Sequence, residues 1–381
     1  MSYAKCFDLY PKSKYDTEFP YFRKPIEIGS FSQDSQRQMV LSRKQMKYYI
    51  PPVNSSNVCF DLRKGYSDYI RKDESKPELL DDLLRWIKSN LSVFKIKPGN
   101  QQTESNKPLI GINTDFVCWR GLLTKLLCTP SQTSEGWRIA ITRFQNTFFM
   151  CEFDTEKNAE MKKNRSGMQD EMCYWGWKFE QYVTARSPNG TPDTHSLVNT
   201  NEGFCSVVRS RLNSHSLVYG GEVDAAISEA HPGEQYQYVE FKTSIEIETQ
   251  KQDFSFKRYK LIKWWAQSFL VGIGQIVSGF RDRDGIVHKL HTFNTTDLPY
   301  IAKDLRDPWK PNVCFNFLDQ FLSFIKKTIV TNDHSVVYLL EWEPGCDINC
   351  QRLPSNSKYA FLPEWFTASL DIENPAPGPT D

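Results

Sequence analysis

A chain of 381 residues with 47 basic and 46 acidic side chains, net charge +1, can build one large domain or two. Its even balance argues against a general nucleic-acid coat protein, while leaving room for a local basic groove. Apolar residues make up 39% of the chain and no apolar run reaches the length of a membrane span, so a soluble protein with a substantial core and no membrane partner is expected.

The first residues, Met1-Ser-Tyr-Ala-Lys-Cys6, lack the apolar centre of a signal peptide, and the ten cysteines show no Cys-x-x-Cys spacing. Both features point to free thiols in a reducing compartment. Cys346 with Cys350, and His288 with His291, have no second pair nearby to complete a zinc site.

The first hundred residues read as a shell around the functional part. Tyr10 to Pro25 is aromatic and punctuated by proline, Arg37 reads as a surface charge, and Pro51-Pro52 opens a loop. Leu79, Leu80, Leu83, Leu84, Ile87 and Leu91 recur at helical spacing, which predicts an amphipathic helix over 77–94 with Glu78 in its first turn. Pro98 to Pro108 is a polar loop.

Beyond it, Trp119-Arg120-Gly121 precedes Leu122, Leu123, Leu126 and Leu127. This places Arg120 at the start of a helix, where backbone N–H groups suit an anion. The stretches 137–143 and 148–153 predict a hairpin, and Thr155 to Gln169 a charged, solvated excursion. Met172, Trp175, Phe179, Tyr182 and Val183 form one helical stripe with Glu180 off its centre. A partly buried helical Glu beside aromatics needs a partner, for which a metal or a lysine would serve, but taken alone Glu180 reads as an ordinary surface side chain. Cys205 falls on a strand over 204–212.

The most informative stretch is Gly220 to Lys242. Side chains alternate along a strand, so Glu222 and Asp224 share one face while Val223 and Ala225 take the other, and Glu240 and Lys242 repeat the pattern fifteen residues further on. Pairing these strands would gather three carboxylates and an ammonium over a core-like reverse side. Hard cations such as magnesium take oxygen ligands and keep waters, so two or three carboxylates suffice when a phosphate supplies the rest. Each strand alone reads more readily as a solvated face with an incidental salt bridge; the two together favour a metal site. Cys205, Glu222 and Glu240 are expected on successive strands of one sheet.

Phe254 to Phe269 interleaves Arg258, Lys260 and Lys263 with Phe256, Tyr259, Trp264 and Trp265. Such mixing suits phosphates with stacked bases, and equally a core helix with snorkelling lysines. Two strands, a helix over 313–330 and a strand over 336–342 follow, and residues 372–381 are expected to be a disordered tail.

Five motifs in order resemble the decapping exoribonuclease family, DXO in animals and its fungal nuclear relative. They are Trp119-Arg120-Gly121, Gly176-Trp-Lys-Phe-Glu180, Gly221-Glu222-Val-Asp224, Glu240-Phe-Lys242 and Lys263-Trp-Trp-Ala-Gln267. The likeness runs from about Tyr21 to Trp365. It implies a single α+β domain over 1–371, with mixed β-sheets flanked by helices and a restriction-endonuclease-like nuclease core. It also implies divalent-metal (Mg2+ or Mn2+) hydrolysis at single-stranded RNA 5′ ends in mRNA quality control. The reactions are removal of incomplete or non-canonical caps including NAD caps, pyrophosphate release from triphosphate ends, and 5′-3′ exonuclease action.

Carried over by position, the resemblance makes Glu180, Glu222, Asp224, Glu240 and the carbonyl of Phe241 metal ligands. Glu222, Asp224, Glu240, Lys242 and Gln267 would be the catalytic set, with Lys242 and Gln267 holding the scissile phosphate and the attacking water. Arg37, Glu78, Trp119, Arg120, Gly121, Cys205, Glu222, Lys242 and Gln267 would line the path of the RNA. A nuclear location, with the cytoplasm second, and a partner 5′-3′ exoribonuclease are implied as well. The alternatives are a DNA-directed nuclease on the same metal core, or a non-catalytic stabiliser of such an exoribonuclease. The intact carboxylates argue against the latter as a sole role.

Overall fold

The computed structural model describes residues 5–94, 112–354 and 356–371. The polar loop at 98–108 and the tail at 372–381 lie outside the described residues.

Two sheets organise the chain. The larger has ten strands in the spatial order Lys5–Phe7, Ile348–Arg352, Tyr338–Trp342, Trp137–Phe144, Thr147–Phe153, Phe116–Trp119, His215–Glu222, Gly203–Leu212, Phe22–Gln33 and Met39–Val40. The smaller has seven, in the order Phe60–Asp61, Ile286–Asn294, Gln275–Arg281, Tyr238–Ile245, Ala225–Ala226, Tyr48–Tyr49 and Thr184–Ala185. Both sheets mix parallel and antiparallel pairs, for example His215–Glu222 parallel to Phe116–Trp119 and antiparallel to Gly203–Leu212. The class is α+β, as the resemblance implies.

Period-two alternation feeds both faces of the large sheet. Ile139, Ile141, Leu217 and Tyr219 enter one apolar cluster, while Ala140 and Val218 enter another on the opposite face. The helices Arg120–Cys128, Leu261–Leu270 and Pro311–Thr328 cover the first face; Asp81–Ser89 and Glu364–Asp371 cover the second. A third cluster joins Ala225, Val239, Phe241 and Val277 of the small sheet to Tyr174, Trp175, Phe179 and Val183 of the helix Gly167–Val183. Ser166 caps that helix, accepting from the Gln169 N–H while the Gln169 side chain accepts from the Ser166 N–H.

Several expectations change. The first hundred residues are no shell, because Phe22–Gln33 is a twelve-residue strand paired along Gly203–Leu212. The helix expected over 77–94 is Asp81–Ser89, followed by a short 3₁₀ turn, so Glu78 precedes it. The stretch expected as an excursion holds a helix, Glu156–Lys163, capped by Thr155, and the next helix already begins at Gly167. In Phe254–Phe269 the core reading holds for Phe256, Trp264 and Trp265, which are buried, while Phe254 and Tyr259 are exposed.

Cys205 and Glu222 lie on neighbouring strands of the large sheet, whereas Glu240 lies in the small one. The chain crosses between the sheets at Val223-Asp224. Ala225 then pairs with Val239, so Glu222 and Asp224 flank the crossing.

Candidate active site

Every side chain proposed from the sequence as a metal ligand reaches the seam between the sheets from a different direction. Glu222 ends its strand, Asp224 sits just past the crossing, Glu240 rises from the centre of the small sheet, and Glu180 comes from the last turn of Gly167–Val183. Asp224 Oδ2 accepts from the Phe241 N–H at 2.6 Å, which ties the crossing to the Glu240 strand. Phe241 itself points into the third cluster against the Tyr49 and Phe179 rings, at 5.4 and 6.1 Å between centroids. An apolar side chain is therefore required at 241 for packing.

Glu240 is 1% exposed and heavily engaged. Its Oε1 accepts from Lys242 Nζ at 2.6 Å and from Gln267 Nε2 at 2.5 Å. Its Oε2 is buried with no hydrogen bond, and Arg120 Nη1 stands 3.9 Å away. Gln267 is brought in by the helix Leu261–Leu270.

The carboxylates strain one another. Burial pushes Glu180 up to about 7, with Glu222 and Glu240 adding to the rise and the Lys47 and Lys242 ammonium groups opposing it. Burial, then Glu240 and Glu180, hold Asp224 well above the ordinary carboxylate range against Lys242 and the Phe241 N–H. Buried like charges and a buried carboxylate oxygen lacking a donor are what a hard divalent cation relieves, and the donor set is all oxygen. The residues therefore fit such an ion. Among the described residues, no three of these carboxylates bring ligand oxygens within 4.8 Å of one another, so the set is held apart rather than collapsed. The one tight trio, Cys6, Asp8 and Asp347, is exposed and sits on the outer edge of the large sheet.

The groups expected along the RNA path also gather at the seam. Arg37 has φ 61° in a turn where Asp34 Oδ1 accepts from the N–H groups of Gln36 and Gln38, both at 2.9 Å. The turn aims its guanidinium at Glu78, with Nε to Oε1 at 2.6 Å and Nη2 to Oε2 at 3.0 Å, and Lys72 also pairs with Glu78. Glu78 is thus an ion-pair partner and not a helix cap.

Trp119 donates its indole N–H to the Leu79 carbonyl at 2.6 Å and is the N-cap residue of the helix that Arg120 begins. A Cβ at Gly220 would come within 2.7 Å of the Trp119 ring and one at Gly221 within 3.0 Å of the Arg120 Cβ, so both glycines admit this close approach. Arg120 is 7% exposed and donates to the Gln267 carbonyl at 3.0 Å and the Glu222 carbonyl at 2.9 Å. It clamps the two sides of the seam as well as facing Glu240. Gly121 is exposed, and Cys205 is buried directly across from Glu222, its thiol pushed up by that burial.

A cavity of about 560 Å³ opens on Glu180, Glu222 and Asp224. A smaller one, about 220 Å³, is lined by Gly121 and Gln267 together with Trp137 and Lys263. Sequence reasoning missed the larger cavity's outer wall, which includes Gln45, Lys47, Trp177, Gln181 and Arg186. One signal was available: Trp177, Glu180, Gln181 and Thr184 fall at i, i+3, i+4 and i+7, one face of a helix.

An Asp at the crossing between two strands, a Glu-x-Lys on the strand beside it and a helical Glu at a sheet seam define a metal-dependent nuclease core. The RAI1 like PD-(D/E)XK nuclease family matches residues 23–367, and the chain belongs to it. Asp224 and Glu240-Phe241-Lys242 fit the family's motif, with Val223 where the motif has proline.

The chain is 42% identical to the Xenopus laevis decapping and exoribonuclease protein over 94% of its own length and 89% of that protein. It is 33% identical to the Aspergillus fumigatus decapping nuclease RAI1, over 85% and 87% respectively. The S. pombe Rai1 crystal structure in complex with 3′-FADP superposes with a TM-score of 0.70 at 26% identity, covering 93% of this chain and all of that one.

Proposed function

We propose that this protein is a divalent-metal-dependent hydrolase of RNA 5′ ends. It removes incomplete and non-canonical caps, NAD-type caps among them, releases pyrophosphate from triphosphate ends and degrades the exposed RNA 5′ to 3′. The observation that carries the reading is the seam itself: Glu180, Asp224 and Glu240 meet there from three elements, with Lys242 and Gln267 fastened to Glu240. The decapping names of its relatives, and the 3′-FADP held by the S. pombe protein, point to nucleotide-capped 5′ ends as the substrate class.

Glu180, Glu222, Asp224, Glu240 and the Phe241 carbonyl would hold magnesium or manganese. The ion would supply an activated water and neutralise charge on the phosphoryl oxygens. The protein's own groups do the positioning. The Lys242 ammonium and Gln267 amide, held by Glu240 Oε1, stand ready to bind a non-bridging phosphate oxygen and to orient the water for in-line attack. Arg120 adds positive charge at the same place without ligating a cation. Arg37, Glu78, Trp119, Gly121 and Cys205 form the adjoining wall for the leaving 5′ group and the first nucleotides. Because every reaction in the set is water attack at a phosphorus near the 5′ end, one centre serves them all and only the leaving group changes.

The resemblance to the fungal nuclear relative supports a nuclear location and a partner 5′-3′ exoribonuclease; co-purification from nuclear extract with the chain as bait tests both. The hydrolase reading is tested by incubating purified protein and magnesium or manganese with RNAs that differ only in the 5′ group. Hydrolysis of capped, triphosphate and monophosphate RNA, with DNA of the same sequence left intact, is the expected outcome. No hydrolysis of any RNA with either metal would overturn it.

A further inference from the structure

Among the described residues, the wall of the larger cavity carries an indole with no partner and an ammonium with no ion pair or hydrogen bond, whose charge is felt by Glu180. Of the ten tryptophans in the chain, all among the described residues, each but one enters a ring pair, a cation contact or an indole hydrogen bond. The exception is Trp177, which is half-buried and belongs to none of the three apolar clusters. An indole left at the water boundary forgoes a large area of burial, so its position calls for a ligand to cover it. Lys47, half-buried on the same cavity, makes no ion pair and no side-chain hydrogen bond among the described residues. The neighbouring cation Arg186, by contrast, is spent on Gln45 and Glu202. At about 560 Å³ the cavity is of ligand size, and its floor is the carboxylate cluster.

An aromatic face and an ammonium with no hydrogen bond or ion pair among the described residues, on the wall of one cavity opening onto a phosphate-cleaving centre, are the combination that holds single-stranded nucleic acid without reading its sequence. We infer that Trp177 and Lys47 grip the nucleotide next to the scissile phosphate, the indole stacking on its base and the ammonium pairing with its backbone phosphate. The inference rests on the RNA-hydrolase reading and extends it: the cavity wall, rather than the metal cluster, supplies grip on the chain and is indifferent to base identity.

The test is RNA binding by the full chain in calcium, measured by fluorescence anisotropy across a salt series, alongside steady-state hydrolysis in magnesium. Trp177→Leu should weaken binding of single-stranded RNA about tenfold and raise KM with kcat little changed, while Trp177→Phe recovers most of the loss. On an RNA whose nucleotide beside the scissile phosphate lacks its base, wild type and Trp177→Leu should be equal. Lys47→Met should weaken binding and lower the slope of log K against log salt by about 0.7, the signature of one lost phosphate contact on a single strand. If Lys47 merely offsets Glu180, Lys47→Met will tighten metal binding and leave the RNA salt slope unchanged, and its part in the grip is overturned. Equal loss by Trp177→Leu on base-bearing and abasic RNA overturns the stacking. A wild type that binds as described but hydrolyses nothing refutes the hydrolase reading alone; a wild type that hydrolyses while all variants match it in Kd and slope refutes the grip alone.

Discussion

The two sheets supply different halves of the site. From the small sheet, the crossing that leads into it and the helix packed on it come Glu180, Asp224, Glu240 and Lys242, whose carboxylates are buried near one another against their mutual repulsion, with Lys242 partly offsetting it. From the large sheet and its connections come Arg37, Trp119, Arg120, Cys205 and Glu222, which are fixed by neutral hydrogen bonds, by an ion pair with Glu78 and by close packing. The first half is under electrostatic strain and suited to a cation; the second is satisfied as it stands and suited to shape a substrate. Arg120 bridges them, with one hand on the Gln267 carbonyl and one on the Glu222 carbonyl. On the proposed roles, most of the metal ligands come with the small sheet and most of the groups along the RNA path with the large one, while Glu222 and Lys242 each cross that division.

Breaking the small-sheet half should have the largest effect. Glu240→Ala removes a proposed metal ligand and leaves the Lys242 and Gln267 side chains without their shared acceptor. A loss in kcat of about 1,000-fold is expected, beyond the ~10–100-fold usual for an outer-shell partner. Single-turnover kinetics with excess enzyme read it directly, and a loss below tenfold would show that Glu240 is not part of the centre.

Next in size is Gln267→Ala, with a fall in kcat of about 100-fold, as for loss of one positioned donor, and metal affinity nearly intact. Isothermal titration with manganese checks the second half of that statement. A drop in metal affinity equal to the drop in rate would erase the distinction between ligand and positioning group.

A third consequence concerns pH. Glu180 has a folded-state pKa raised from 4.5 to about 7, so in the metal-free protein its burial costs nothing below its ordinary pKa and costs progressively more as pH rises through 7. Melting temperature of the metal-free protein should therefore fall between about pH 5.5 and pH 8, and added magnesium should raise it more at the upper pH than at the lower. Glu180→Gln should flatten the metal-free trend. An equal magnesium increment at both pH values would mean that the strain does not come from the carboxylates.

The smallest effect is expected at Phe241→Leu. Only the backbone oxygen is assigned to the metal, so kcat should stay within about twofold while the gap left beside Tyr49 and Phe179 costs about 1 kcal/mol in urea unfolding. A large rate loss would show that the ring, rather than the carbonyl, matters.

Much of this site was legible in the chain. Alternation put Glu240 with Lys242 on one strand, as found, but not Glu222 with Asp224, because the strand ends at Glu222 and Asp224 lies in the crossing; Glu180 alone read as an ordinary surface side chain, and only the resemblance made it a ligand. What alternation cannot show is which strands share a sheet, because the period is two whatever the partner; hence the crossing at Val223-Asp224 and the placement of Glu240 in a second sheet came only from the fold. The Arg37–Glu78 pair spans 41 positions and depends on a left-handed turn at an arginine, which local rules do not anticipate. Glu78 read as a cap because the helix was taken to begin one turn too early. Trp177 was hidden by company: among so many aromatics, only its place on the helix face of Glu180, Gln181 and Thr184, off the apolar stripe, sets it apart from those that fill the core.

The central claim is that one metal centre performs all the 5′-end reactions, and a side-by-side time course with Asp224→Ala tests it most directly. Capped, triphosphate and monophosphate RNAs of one sequence are incubated with wild type and variant in magnesium, with RNA binding measured separately. All three activities are expected to vanish together in the variant while its affinity for RNA remains close to wild type. Near wild-type retention of any one of them would reveal a second centre and contradict it.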